Sequence, residues 1–127
     1  MIIAIDFDGT LHTGEWPGIG APAPCAADVM QALKDKGHYL IVWTCREGDA
    51  QRDAVNWLLE NNIPFDRVND NNPAQTEIHN ANSRKISAHL YIDDKQVGGL
   101  PSWPDILDYV EKLEADYKQL QHGKEST

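Results

Sequence analysis

The apolar run Ile2-Ile3-Ala4-Ile5, which breaks into Asp6-Phe7-Asp8-Gly9-Thr10, constrains this chain more than any other segment. Consecutive apolar residues ended by Asp and Gly describe a strand covered on both faces, the situation of a central strand in a parallel sheet. Open parallel sheets take their ligands at the carboxyl ends of the strands, and Asp6 and Asp8 fall there. Side chains at i and i+2 of an extended segment point the same way, so both carboxylates can face one ligand. Like charges held that close repel unless a cation or a shared proton relieves them, and a hard divalent ion such as magnesium suits them best. An isolated Asp after a strand is ordinarily a turn former. The paired spacing behind an apolar run is what points to a site.

The rest of the chain alternates between two kinds of segment. Residues 11–24 hold Gly14, Pro17, Gly18, Gly20, Pro22 and Pro24, which exclude a helix or a central strand and leave a loop or short ribbon. From Cys25, the residues Ala26, Val29, Met30 and Leu33 keep helical spacing until Gly37, placed as a C-terminal cap. Residues 38–43 form a second buried strand by their β-branched and aromatic content, ending at Thr44-Cys45-Arg46. A second helix covers residues 49–62, with Ala50, Ala54, Trp57 and Leu58 on one face and Ile63-Pro64 stopping it. Residues 65–68 suit a short third strand, and the turn-rich Asn69-Asp70-Asn71-Asn72-Pro73 suits a surface loop. His89-Leu90-Tyr91-Ile92 is another buried strand, ending at Asp93-Asp94. The last helix begins near Ser102-Trp103-Pro104-Asp105 and carries the stripe Ile106, Val110, Leu113 and Tyr117, with fraying expected after Leu120. This order predicts a doubly wound, Rossmann-like α/β fold, with a mostly parallel sheet and helices on both faces. It forms one domain over residues 1–122, followed by a polar tail at 123–127.

Charge and composition narrow the function. A formal net charge of -9 at pH 7 repels polyanions, which argues against general nucleic-acid binding and welcomes cations. No apolar stretch approaches a membrane span and no basic leader precedes the first strand, so the expected location is the cytoplasm. Cys25 and Cys45 lack metal-ligand spacing and are expected to be reduced and structural. His12, His38, His79, His89 and His122 lack it too and read as surface or packing residues, while Trp16 and Trp103 could stack on a base or sugar but read better as core.

Asp6 with Asp8, Thr44, Lys85, and Asp93 with Asp94 then converge, in that order, on one edge of the sheet. Together they resemble the motifs of the haloacid dehalogenase superfamily, most of whose members are magnesium-dependent phosphatases working through a phosphoaspartyl intermediate. Asp6-Phe7-Asp8-Gly9-Thr10 resembles its first motif, Ile41-Val42-Trp43-Thr44 its second, Lys85 its third and Tyr91-Ile92-Asp93-Asp94 its fourth. The resemblance implies Asp6 as nucleophile and metal ligand, and Asp8 as general acid and base, its backbone carbonyl also binding the metal. It implies that the Thr44 hydroxyl, the Cys45 amide and Lys85 hold the phosphoryl group. Six-coordinate magnesium needs further oxygen ligands, and either Asp93 or Asp94 can bind it directly, with Asp93 favoured for that place and Asp94 for a water-mediated one. Arg46 is close enough to touch substrate, although capping or pairing with Glu47 or Asp49 is the commoner role for such a residue.

Cap domains of the superfamily sit in intervals that are short here, residues 11–24 and 62–85, so the chain resembles a capless member with a hairpin flap. An open site suits an exposed phosphate on a large substrate, unless a neighbouring subunit of an oligomer supplies the lid. The expected function is a magnesium-dependent phosphomonoester hydrolase. Within it, a nucleotide or nucleic-acid-end phosphatase competes with a small-metabolite phosphatase, and acidity leans towards the latter. The alternatives are a phosphotransferase and a non-catalytic metal-binding regulatory protein. Specificity is expected in residues 11–24, Arg46 and residues 98–103.

Overall fold

The structure is a computed structural model that describes residues 1–125, with side chains to Leu120. Among the described residues eight elements follow one another: β1 (Ile2–Asp6), α1 (Ala26–Asp35), β2 (Tyr39–Trp43), α2 (Gly48–Glu60), β3 (Arg67–Val68), α3 (Pro73–His79), β4 (Leu90–Ile92) and α4 (Trp103–Glu125). All strand pairs are parallel, in the order β3-β2-β1-β4. The order reverses at β1, which makes its carboxyl end the switch point at which such sheets form a crevice. The fold is the doubly wound α/β arrangement without a cap domain.

Alternation along the strands sorts the core into two layers. Ile3 and Ile5 of β1 and Leu40 and Val42 of β2 face the buried residues of α1, α2 and α4, among them Met30, Leu33, Leu58, Trp103 and Val110. Ile2, Ala4 and Ile41 face the other way and meet Ile86, with Tyr39, Trp43, Ala88 and Tyr91 half-buried around it. That second face is covered by the crossover from β3 to β4, which carries α3. A right-handed connection returning across β1 must pass on that side.

Local chemistry explains the helix ends. Gly37 adopts φ +87° and His38 N–H donates to the Leu33 carbonyl at 3.2 Å, closing α1 as the glycine predicts. Asn62, at φ +55°, does the same for α2, with Ile63 N–H on the Leu58 carbonyl at 3.0 Å. Residues 69–72 form the loop expected there, and helix α3, which no pattern in the sequence announces, follows from Pro73. Asn72 caps it by accepting the Ala74 N–H at 3.0 Å and Pro73 opens it, but none of its residues is buried, so it has no apolar period to read. Asn71, within the same stretch, is buried and fastens the crossover through Asn82, the Ser83 carbonyl and the Ser87 N–H. Helix α4 passes Leu120, where fraying is expected, and runs to Glu125. The tail at 123–127 lies partly outside the described residues.

Residues 11–24 form a flap. His12 bridges Pro22 in antiparallel fashion, Thr13 N–H donates to the Ala21 carbonyl at 3.1 Å, and Ala23 N–H donates to that of Leu11 at 2.8 Å. Between these rungs Gly14 and Gly20 come into backbone contact: a β-carbon on Gly14 would lie 2.3 Å from the Gly20 nitrogen.

Candidate functional site

Register places the polar strand ends side by side. Asp6 is opposite Trp43, so Thr44 follows directly beyond it, and Ile5 is opposite Ile92, so Asp93 continues beside Asp6. Asp6, Asp93 and Asp94 each bring one carboxylate oxygen within 4.8 Å of the others. Thr10, fully buried, ties them together: its hydroxyl donates to Asp6 Oδ2 at 3.2 Å and accepts the Asp94 N–H at 3.2 Å. Gly9, at φ +76°, leaves the space, since a β-carbon there would stand 2.3 Å from Asp94 Oδ2. In the sequence Thr10 is marked only by its place in Asp-Gly-Thr.

The cluster fits a cation. Oδ1 of Asp94 is buried without a hydrogen-bond partner, and a carboxylate oxygen in that state is costly unless something positive meets it. Burial, the adjacent Asp94 carboxyl and the charges of Asp93 and Asp94 push Asp6 up to about 7. A donor set made only of carboxylate oxygens matches a hard divalent ion rather than a metal preferring thiolate or imidazole.

Asp8 belongs to a different arrangement. Its carboxylate accepts Arg46 Nε on Oδ2 at 2.9 Å and Arg46 Nη2 on Oδ1 at 2.7 Å, a two-point grip by a guanidinium that is 1% exposed. His12 makes the third contact, with Nε2 2.8 Å from Asp8 Oδ1. The imidazole Nδ1 accepts N–H groups from both Gly14 (3.0 Å) and Gly20 (3.2 Å), so the proton sits on Nε2 and is donated to Asp8. Although burial opposes it, these donors hold the Asp8 carboxyl below its usual range. Arg46 therefore pairs across the site rather than with Glu47 or Asp49. His12 is a structural ligand of Asp8, signalled in the sequence by nothing more than its i+4 spacing.

This geometry makes a clear demand on Gly14. A side chain there must separate the two flap backbones, and the two amides can then no longer share one nitrogen. Gly14→Ala is expected to destabilise the fold by about 1–3 kcal/mol, measured by urea denaturation, with His12 losing its slow-exchanging ring proton in NMR spectra. An unchanged urea midpoint would contradict the contact.

The remaining expected residues divide. The Thr44 backbone is clamped by the Asn69 side chain, which accepts its N–H at 2.7 Å and donates to its carbonyl at 2.8 Å. The Thr44 hydroxyl accepts the Arg46 N–H at 3.1 Å, which leaves its own O–H as a donor. Lys85 is not brought to the carboxylates. With Ile86 anchored on the sheet the neighbouring side chain turns outward, and Lys85 Nζ lies 5.1 Å from the centroid of the Tyr91 ring. Cys25 and Cys45 are free and exposed, which removes the structural role expected for them. Trp103 is core, its indole N–H donating to the Thr10 carbonyl at 3.1 Å, but Trp16 is exposed on the flap, which corrects the expectation of core packing. Among the described residues no helix is long and apolar enough to cross a membrane.

Fold and site together define a parallel α/β domain with a carboxylate cluster at its switch point. No family model matches the chain, and no curated protein matches it. A solved structure described as the conserved protein coded by a locus from Bacteroides thetaiotaomicron is similar, with 38% identity and a TM-score of 0.80 over 88% of this chain and 90% of that one. The chain belongs to the same family as that conserved protein.

Proposed function

We propose that this chain is a magnesium-dependent phosphomonoester hydrolase of the haloacid dehalogenase type, with Asp6 as its nucleophile. What carries the reading is the meeting of Asp6, Asp93 and Asp94 at adjoining strand ends around a buried carboxylate oxygen that lacks a donor. Those three carboxylates and the Asp8 backbone carbonyl would hold the ion, which supplies the positive charge that lets a carboxylate approach an anionic phosphoryl group. Asp6 attacks phosphorus, the new O–P bond replaces the bond to the leaving oxygen, and an aspartyl phosphate results. Held ionised by Arg46 and His12, Asp8 is set to take the proton of the water that then attacks this acyl phosphate, which releases inorganic phosphate and regenerates Asp6. Protonating the leaving oxygen in the first step requires Asp8 to carry a proton, the one taken from water in the preceding turnover or drawn from solvent, and to loosen from Arg46. The Thr44 O–H and the Cys45 amide are the donors for the phosphoryl oxygens, and Lys85 joins them by leaving the Tyr91 ring. Exposed free thiols suit a reducing compartment such as the cytoplasm, and the acidic charge favours a small ester over a polyanion.

The test is turnover of p-nitrophenyl phosphate with magnesium and with chelator. Release of nitrophenolate that needs the ion is expected; no turnover across a broad panel of phosphate esters would sink the enzyme reading. A thermal shift with magnesium but no turnover would favour the regulatory reading, for which the grip of Arg46 on Asp8 is the supporting observation. Diversion of the phosphoryl group to an added alcohol or sugar would indicate a phosphotransferase.

A further inference from the structure

Trp16 is 63% exposed, yet it is held in place. The Arg46 guanidinium carbon lies 4.7 Å from its ring centroid, and Arg46 Nη2 donates to the carbonyl of Gly18 in the same flap at 3.2 Å. The guanidinium also lies 5.3 Å from the centroid of the Phe7 ring, and it grips Asp8. The flap is tied down again where the Trp57 indole N–H donates to the Gly20 carbonyl at 3.2 Å. One face of the Trp16 ring is thus fixed over a buried cation, one guanidinium away from the carboxylate that would face the leaving group. Large aromatic rings are ordinarily buried, and an exposed one with its orientation preset is a stacking surface.

We infer that Trp16 determines specificity by stacking on a flat aromatic ring in the leaving group of a phosphate monoester. The inference rests on the phosphoesterase reading and adds the class of substrate. An aryl phosphate and a nucleoside monophosphate share this chemistry, differing in how far the ring stands from phosphorus. Stacking is tolerant of ring identity, since every aromatic ring offers a π face.

The experiment measures dissociation constants by titration calorimetry on the full chain with magnesium, using methylphosphonate, benzylphosphonate and a nucleoside 5′-methylenephosphonate. The native chain is expected to bind at least one ring-bearing phosphonate about 10-fold more tightly than methylphosphonate. Trp16→Ala and Trp16→Leu should bring that ratio close to one, whereas Trp16→Phe should keep most of it; the leucine still covers Arg46 and so separates stacking from shielding. The ring-bearing ligand that loses more in Trp16→Ala identifies the source, aryl ester or nucleotide. If methylphosphonate binds and no ratio changes in the variants, the stacking role is wrong and the phosphoesterase reading stands. If none of the three binds, both fall.

Discussion

Asp6→Asn should lower magnesium-dependent turnover of an aryl phosphate by about 10⁴-fold or more, to the level of the uncatalysed background, without unfolding the protein. The amide has the shape of the carboxylate but cannot attack phosphorus, so no aspartyl phosphate forms. Its second effect is electrostatic. With its pKa raised from 3.8 to about 7, Asp6 makes its full contribution to stability below about pH 4, and that contribution is lost as pH rises through 7. The cation-free native protein should therefore lose stability between pH 5 and pH 8 on account of this group, and magnesium should restore it at pH 8. Asp6→Asn removes the titrating charge, so its melting temperature should vary less over that range and rise less with magnesium. Melting curves at the two pH values, with and without the ion, read both effects. Turnover above a tenth of the native rate would exclude Asp6 as nucleophile.

Arg46→Ala should be the most damaging substitution for stability, costing about 3–5 kcal/mol. The guanidinium is buried, holds both oxygens of Asp8, donates to the Gly18 carbonyl and fills the space between Phe7 and Trp16. Its loss leaves a carboxylate with His12 alone and a void in the site, and a domain of this size has only about 5–15 kcal/mol to lose. Arg46→Lys keeps the charge but not the two-pronged geometry and should recover only part of the loss. The pH dependence runs opposite to that of Asp6. Because the Asp8 pKa is lowered, its stabilisation is present above the usual carboxylate range and disappears as pH falls through the folded pKa, so native and variant proteins should converge in stability in acid. Urea midpoints at pH 7 and pH 3 test this, and a cost below about 1 kcal/mol at pH 7 would show that the pair contributes little.

What could be read in advance depended on how local each signal is. The strands announced themselves by short apolar runs, and the carboxylates at their ends by breaking those runs, so the α/β order and the meeting of Asp6, Asp93 and Asp94 followed from sequence. Helix α3 could not, since it buries none of its residues. The partner of Arg46 lies 38 positions back, across a crossover, whereas Glu47 and Asp49 stand beside it in the chain. His12 gains its orientation from the closure of the flap at Gly14 and Gly20, a contact that no periodicity encodes. Lys85 occupies the expected place in the order of motifs, but the anchoring of Ile86 decides where its side chain goes.

Asp8 binds together three stretches of chain that are otherwise separate: the end of β1, the flap through His12, and the turn after β2 through Arg46. Each of those ties depends on the negative charge of one carboxylate. A proton delivered to Asp8 weakens all of them at once, and with them the hold of Arg46 on Gly18 and Trp16. Protonation of Asp8 would thus loosen the flap and the turn after β2 together, while the Trp57 tie to the Gly20 carbonyl and the paired flap backbone still hold the flap.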